Sequence, residues 1–442
     1  MKTLNQKTSQ NISRRDFLNI AKRFGTTSTL MAASSFGSYF AFALPSAFGS
    51  NTDNGDISSS FGGNISLAQL AQAAEDEQKL RTAKQARVNL IYGVGIGSNL
   101  EHINPTGILH FVRDLEERTD GEIRVEIIDQ SKICSQLDCV KRVQEGTVDI
   151  YCSTTQNAAG VAPYFNVLDF PYMFPTRAAQ HYFFYHQKSE VLFREPLLKH
   201  YGIRFLFTNC RLRQILLGKK WRDKPDISSI EELKGLKIRA TASKLGKIAL
   251  ELLNIKPIPI AWEEVAGALK HEMVDGIESY SSAVAAEIPD NIILPETVSQ
   301  AVNLSLFSAN DHTAMNENVF QRLTPELQNA VMESAYQTQM FTQLASEVAF
   351  FNTIGSTTPQ KKDTIFGKYG IRFVELEKSE LKKAEQICSP KFNPKPWEKQ
   401  RERLNEMAGG IDVYEEIFNI AREIPADTLA ENVEPSRWWR KI

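Results

Sequence analysis

The chain has 442 residues, enough for two or three domains with a substantial core. Its 51 Lys and Arg residues nearly balance 53 Asp and Glu, a net charge of −2 that argues against nucleic acid as a partner. Locally the balance breaks: six basic residues and no acid lie between Ile203 and Arg222, and five more between Leu233 and Leu250. Such runs read either as a solvated basic face or as a pocket built for an anion.

The N-terminus carries Ser13-Arg14-Arg15-Asp16-Phe17-Leu18, a twin-arginine export signature. A weakly apolar run and the small residues Ala41 and Ala43 follow it. Residues 1–45 are therefore expected to be a signal peptide and the mature protein to work in the periplasm. Nothing later reaches the ~18 consecutive apolar residues of a membrane span. Residues 46–87 read as a Ser/Gly/Asn-rich linker and a short helix.

From Val88 strands and helices alternate. Val88–Tyr92 is a strand stopping in Gly93-x-Gly95-x-Gly97, and Asn104 with Pro105 opens a helix along Ile108, Leu109, Phe111, Val112 and Leu115. The glycines miss the third position of a dinucleotide fingerprint, so no nucleotide cofactor is expected. Ile123–Ile128 alternates as a half-buried strand. Cys134 and Cys139 lie five apart, suited to a local disulfide in an exported protein. No histidine stands beside them to suggest a metal. A helix through Val140 and Val143, a strand over Val148–Tyr151, a helix over Thr176–His200 and a strand over Ile203–Phe207 complete the first half.

In the second half, Gln214–Leu217 is a strand, and Ser228 with Glu231 forms a capping box. Lys237–Ala240 and Pro257–Ile260 are strands around a helix, and Val274–Ser279 is a further strand. After Asn303 the pattern turns helical. Thr324 and Pro325 start an amphipathic run to Gly355, ~45 Å long at 1.5 Å per residue and suited to cross two lobes. Helices follow from Ser379, Lys399 and Asp412. Alternation of this kind implies mostly parallel sheets in an α/β fold with two lobes.

No nucleophile elbow or zinc spacing appears. Arg239 is the candidate anchor. It ends an apolar strand, and the carboxyl edge of an open α/β sheet is where ligands bind. An arginine there can grip a carboxylate with two parallel hydrogen bonds, although pairing with an internal acid such as Asp275 is the alternative. Arg213 begins another strand and could face the same crevice.

Gln144-Glu-Gly-Thr-Val-Asp149, Val167-Leu-Asp-Phe-Pro-Tyr-Met-Phe174, Leu233-Lys-Gly-Leu-Lys-Ile-Arg239, Val274-Asp275-Gly276 and Leu323-Thr-Pro-Glu-Leu-Gln328 occur in one order. In that order they resemble the periplasmic solute-binding subunit of tripartite ATP-independent periplasmic (TRAP) transporters, of the dicarboxylate-receptor (DctP) type, over Val88–Ile387. The resemblance implies a type II-like periplasmic binding-protein fold, with lobe I at 88–210 plus 301–323, lobe II at 211–300, and residues 324–442 as a connecting helix and C-terminal helices packing on both. It implies a non-enzymatic receptor, monomeric or homodimeric, that captures an organic acid without a cofactor and delivers it to the small and large membrane subunits. It assigns the carboxylate to Arg239, a second carboxylate contact to Arg213, and an aromatic wall to Trp262 with the Phe170 region. Ser279 stands where the family commonly has Asn. Thr154, Gln156 and Asn157 are the expected first-lobe contacts. A periplasmic enzyme, or a receptor serving a sensor kinase, is the rival reading.

Overall fold

The structure is a computed structural model that describes residues 76, 84–95, 105–285, 287–288, 292–355 and 363–440. The expected signal peptide and nearly all of the linker and its short helix lie outside these residues. In chain order the main strands are β1 (Val88–Val94), β2 (Ile123–Ile128), β3 (Ile150–Thr154), β4 (Ile203–Thr208), β5 (Arg211–Leu212), β6 (Gln214–Gly218), β7 (Lys237–Ala240), β8 (Lys256–Pro259), β9 (Gly276–Ser279), β10 (Val298–Asn303), β11 (Ser308–Ala309), β12 (Asp311–Asn316) and β13 (Arg372–Glu375). They form two main sheets. The first has the order β2-β1-β3-β12-β4 and the second β13-β10-β6-β9-β7-β8. β5 and β11 pair as a short antiparallel ribbon on the two crossovers between the sheets. This is the two-lobed α/β arrangement expected, but the sheets are mixed rather than mostly parallel: β12 runs antiparallel to β3 and β4, and β6 antiparallel to β9 and β10.

The expected boundary after residue 300 falls inside β10, which pairs with β6 and β13, so the chain leaves the second sheet only after Asn303. Two strands, β11 and β12, occupy the stretch read as the onset of helices. Their residues, Ser308-Ala309 and Asp311-His-Thr-Ala-Met-Asn316, lack a helical stripe. They are fully buried, so no alternation marks them either.

The same device sets the register of a parallel pair in each sheet. Asp149 accepts a hydrogen bond from the Ile91 amide at 2.7 Å and returns its own amide to Ile91 at 3.0 Å. Asp275 does the same to Lys237, both bonds at 2.7 Å, and also pairs with Lys220. Gly276 follows because a Cβ there would lie 2.5 Å from the Leu216 carbonyl oxygen. The Val-Asp motifs are thus register pins, and Asp275 is not the partner of Arg239.

Of the helices, α1 (Ile108–Arg118) starts later than predicted, after Gly107 at φ +81°, rather than at Pro105; Asn104 lies outside the described residues. α2 (Cys139–Gln144) and α3 (Thr155–Ala158) are short. The expected helix over Thr176–His200 is divided. Thr176 caps α4 (Arg177–Tyr185), and a wide turn over Glu190–Arg194 leads into α5 (Glu195–Tyr201). α6 (Lys244–Leu252) and α7 (Val265–Lys270) flank the second sheet, and the capping box before β7 uses Ser229 with Glu232, one residue later than read.

The long helix α8 (Pro325–Ile354) is capped by Thr324 as expected. It is buried on most sides, so its polar residues must find partners inside. Gln339 accepts from the Thr208 amide at 2.9 Å and donates to its carbonyl at 2.7 Å, and Gln343 donates to Ala430 and Val433. α9 (Lys378–Cys388), α10 (Glu398–Met407) and α11 (Val413–Ile420) join a core that includes Phe165 of the first lobe and Leu250 of the second. No helix of the described residues is long and apolar enough to cross a membrane.

Candidate functional site

β7 delivers Arg239 to the carboxyl side of its strand, where it is only 2 % exposed. Burial of a guanidinium is costly unless it is bonded, and its Nε donates to the Ile260 carbonyl at 2.9 Å. Trp262 lies beside it, the guanidinium carbon 5.6 Å from the ring centroid. The indole also packs against Tyr280, Ala283 and Ala309 near the ribbon between the sheets. Arg239 is in register with Ile277 of β9, so Ser279, two residues on, emerges from the same face. Ser279 is buried and pairs in register with Gln214.

The expected first-lobe residues lie at the end of β3 and in α3. Thr154 caps α3 by accepting from the Asn157 amide at 3.1 Å. Gln156 donates to Asp169 at 2.6 Å and to the Ser308 carbonyl at 3.0 Å, while Asn157 donates to Gln136 at 2.8 Å. The loop after β7 touches the same region. Ser243 donates to Asn166 at 3.1 Å, and a Cβ on Gly160 would stand 3.3 Å from that of Ala242. Burial pushes the Asp169 carboxyl up to about 7; the weaker influences on it include Arg213 and Glu278 of the second sheet. Oγ1 of Thr155, Oε1 of Gln156, Oδ1 of Asn157 and Oδ2 of Asp169 are buried and make no hydrogen bond within the protein. Buried polar atoms are usually bonded, so these four stand out beside one another at the end of β3 and in the Val167–Phe174 segment.

Arg213 differs from its expected role. Its Nε and Nη2 both bond the Glu278 carboxylate, Nη2–Oε2 at 2.7 Å, and Nη2 also bonds the Glu278 carbonyl at 2.7 Å. The fork read as aimed at a ligand is held by an acid of the chain itself. Arg211 likewise pairs with Asp311, bonds Asn209 at 3.1 Å and Ser282 at 3.3 Å, and lies 3.7 Å from the Tyr280 ring centroid. With Arg204 on Glu317 and Lys220 on Asp275, four of the six basic residues in 203–222 are matched by acids from distant segments. That run is neither a solvated face nor an anion pocket.

Phe170 is also reassigned. It is buried edge-on against Trp397 and Tyr414, ring centroids 6.1 and 5.0 Å away, and so belongs to the packing of the C-terminal helices. Cys134 and Cys139 form the expected disulfide, and Cys152, Cys210 and Cys388 are buried thiols. Asp169 lay within the Val167–Phe174 motif, but nothing in its neighbours marked it as the partner of Gln156.

Comparison with known proteins agrees with this fold. The family described as bacterial extracellular solute-binding protein, family 7 (DctP) matches residues 97–390. The 2,3-diketo-L-gulonate-binding periplasmic protein YiaO of Escherichia coli is 26 % identical over 231 residues, covering 50 % of this chain and 65 % of that protein. Among solved structures, a TRAP periplasmic solute-binding protein of Shewanella oneidensis with bound succinate superposes with a TM-score of 0.62 at 16 % identity, covering 76 % of this chain and 99 % of that one. The sugar acid binding protein of Advenella mimigardefordensis in complex with galactonate gives a TM-score of 0.60 at 16 % identity, covering 77 % and 99 %. At such identities the structures speak for the fold alone, while the sequence match extends over well over half of the chain. The protein therefore belongs to family 7 of the bacterial extracellular solute-binding proteins.

Proposed function

We propose that this protein is the periplasmic receptor of a TRAP transporter, exported by the twin-arginine route, which captures a small organic acid between its lobes and hands it to the membrane subunits. The observation that carries the reading is Arg239, buried at a strand's carboxyl edge beside Trp262. A carboxylate delivered there exchanges water for a charge-assisted, two-point pair in a dry cleft, where such a pair is stronger than in bulk solvent. Trp262 supplies an apolar wall. Arg213, locked on Glu278, acts on the site by fixing β9 beside Ser279.

The other end of the ligand meets Thr154 and the unbonded atoms of Thr155, Gln156, Asn157 and Asp169. The Gln156 amide is oriented by two acceptors, the Asp169 carboxylate and the Ser308 carbonyl, so its Oε1 is left as an acceptor. Acceptors call for donors. The ligand is a hydroxylated acid of the sugar-acid kind, whose hydroxyls would satisfy them. Ser279, shorter than the Asn common in the family, leaves room for a bulkier acid or a bridging water. Lobe closure over the ligand then presents the loaded form to the transporter.

The test is a thermal-shift panel of galacturonate, galactonate, 2,3-diketo-L-gulonate and succinate on the purified protein and on Arg239→Ala. An acid at 100 times its dissociation constant stabilises by about 2.7 kcal/mol. A sugar acid is expected to shift the parent and not the variant. A panel without any shift, or a variant that binds as tightly as the parent, would count against the proposal.

A further inference from the structure

The disulfide loop Cys134–Cys139 sits directly over the end of β1. A Cβ on Gly93 would lie 2.7 Å from the Cys134 sulfur, and one on Gly95 would lie 2.7 Å from the Gln136 amide nitrogen and 2.8 Å from its Cγ. The glycine run after β1 thus makes room for this loop, which accounts for Gly93 and Gly95 without any nucleotide. Both half-cystines are buried, and the loop is closed further by Asp138, which accepts from the Ser135 amide at 2.6 Å and its hydroxyl at 2.7 Å.

What the loop presents to α3 is Gln136, buried at 6 % exposure. Its carbonyl accepts from the Ser153 hydroxyl at 2.6 Å, tying the loop to β3, and its Oε1 accepts from Asn157 Nδ2 at 2.8 Å. That second bond uses the donor end of the Asn157 amide and turns Oδ1 away, where it makes no hydrogen bond within the protein.

We propose that Gln136 is a positioning residue for Asn157 and that the disulfide holds it there, so that the cleft takes its binding shape only when Cys134 and Cys139 are oxidised. The inference rests on the reading of Asn157 as a ligand contact given above. A dithiol supplies the two electrons and two protons that cleave the bond to two thiols and is itself oxidised to a cyclic disulfide. The loop then loses its closure and Gln136 its fixed place. For an exported protein this ties binding competence to arrival in an oxidising compartment.

The first arm needs no ligand. Side-chain amide exchange of Asn157 Nδ2 is followed by NMR in the parent, in Gln136→Ala, in Gln136→Glu, and in the Cys134→Ser/Cys139→Ser double variant. Exchange is expected to rise about tenfold or more in the Ala and double-Ser proteins, and Gln136→Glu, which keeps an acceptor oxygen, is expected to restore protection, since a buried hydrogen bond shields the donor from water. Unchanged exchange in Gln136→Ala would overturn the positioning claim. In the second arm the sugar acids named above are titrated into the same proteins. Affinity is expected to fall at least tenfold in Gln136→Ala and in the double-Ser protein and to recover with Gln136→Glu, while unliganded melting points of the two Gln136 variants stay alike. Equal affinity in all four proteins would overturn the link to binding. If no acid binds the parent, the functional reading fails while the exchange arm still decides the role of Gln136.

Discussion

Replacing Arg213 by Met separates a structural arginine from a ligand-binding one. The side chains of Arg213 and Glu278 are 2 % and 6 % exposed, and the guanidinium makes three bonds to Glu278. Removing the arginine alone strands a carboxylate in the interior, which costs about 3–5 kcal/mol, whereas replacing both partners by apolar residues of similar size is often close to neutral. Arg213→Met should therefore lose about 3–5 kcal/mol in urea unfolding, and Arg213→Met/Glu278→Leu should recover most of it. The magnitude is set by burial, since an exposed pair is worth ~1 kcal/mol at most. A single variant that loses less than ~1 kcal/mol, or a double variant as unstable as the single one, would refute the claim that Glu278 is the partner that matters.

Three further outcomes follow from the geometry. Gly276→Ala should destabilise by several kcal/mol on the order of an overpacked core site, because its Cβ would stand 2.5 Å from the Leu216 carbonyl; urea unfolding at wild-type levels would contradict it. His181 is fully buried with neither ring nitrogen bonded, and burial drops its pKa to about 3. Between pH 6.5 and 3 the unfolded chain takes up a proton there that the folded chain refuses, so stability falls as pH falls through that window. His181→Met should gain on the parent by about 2 kcal/mol between pH 7.5 and 5, and a constant difference would sink the idea. Asp169, whose raised pKa acts with the opposite sign, cancels in that comparison. Glu347→Gln should weaken the tie of α8 to α4, where Arg177 holds Glu347 by two bonds of 2.6 Å; about 1 kcal/mol is expected for a partly buried pair, 21 % and 23 % exposed, checked by a double-mutant cycle with Arg177.

Local signals were readable in the sequence because they act over a few residues. Thr324-Pro325 opened α8 where expected, and Lys237–Ala240 formed the strand expected of it, because both signals are local. The Cys134–Cys139 pair was legible because five residues of separation leave little choice of partner. Long-range pairing was hidden. Glu278 for Arg213, Asp311 for Arg211 and Lys220 for Asp275 are 55 to 100 residues apart, and nothing in either segment names the other. The basic run at 203–222 looked uncompensated for that reason alone. Phe170 was misread because a buried aromatic beside a motif carries no mark of which side it packs on, and the helices that cover it lie more than 200 residues later. The proposed acceptor surface was half visible. Gln156 and Asn157 were named, but Asp169 and Gln136 gain their meaning only from the partners that the fold brings to them.

The central claim is that Arg239 holds the ligand's carboxylate. It is tested most directly by a crystal structure of the protein with the tightest acid of the panel bound. The account predicts the carboxylate oxygens at about 2.7–2.9 Å from the Arg239 guanidinium nitrogens, with ligand hydroxyls on Gln156, Asn157 and Asp169. A carboxylate held by other residues, with Arg239 turned to the protein alone, would contradict it.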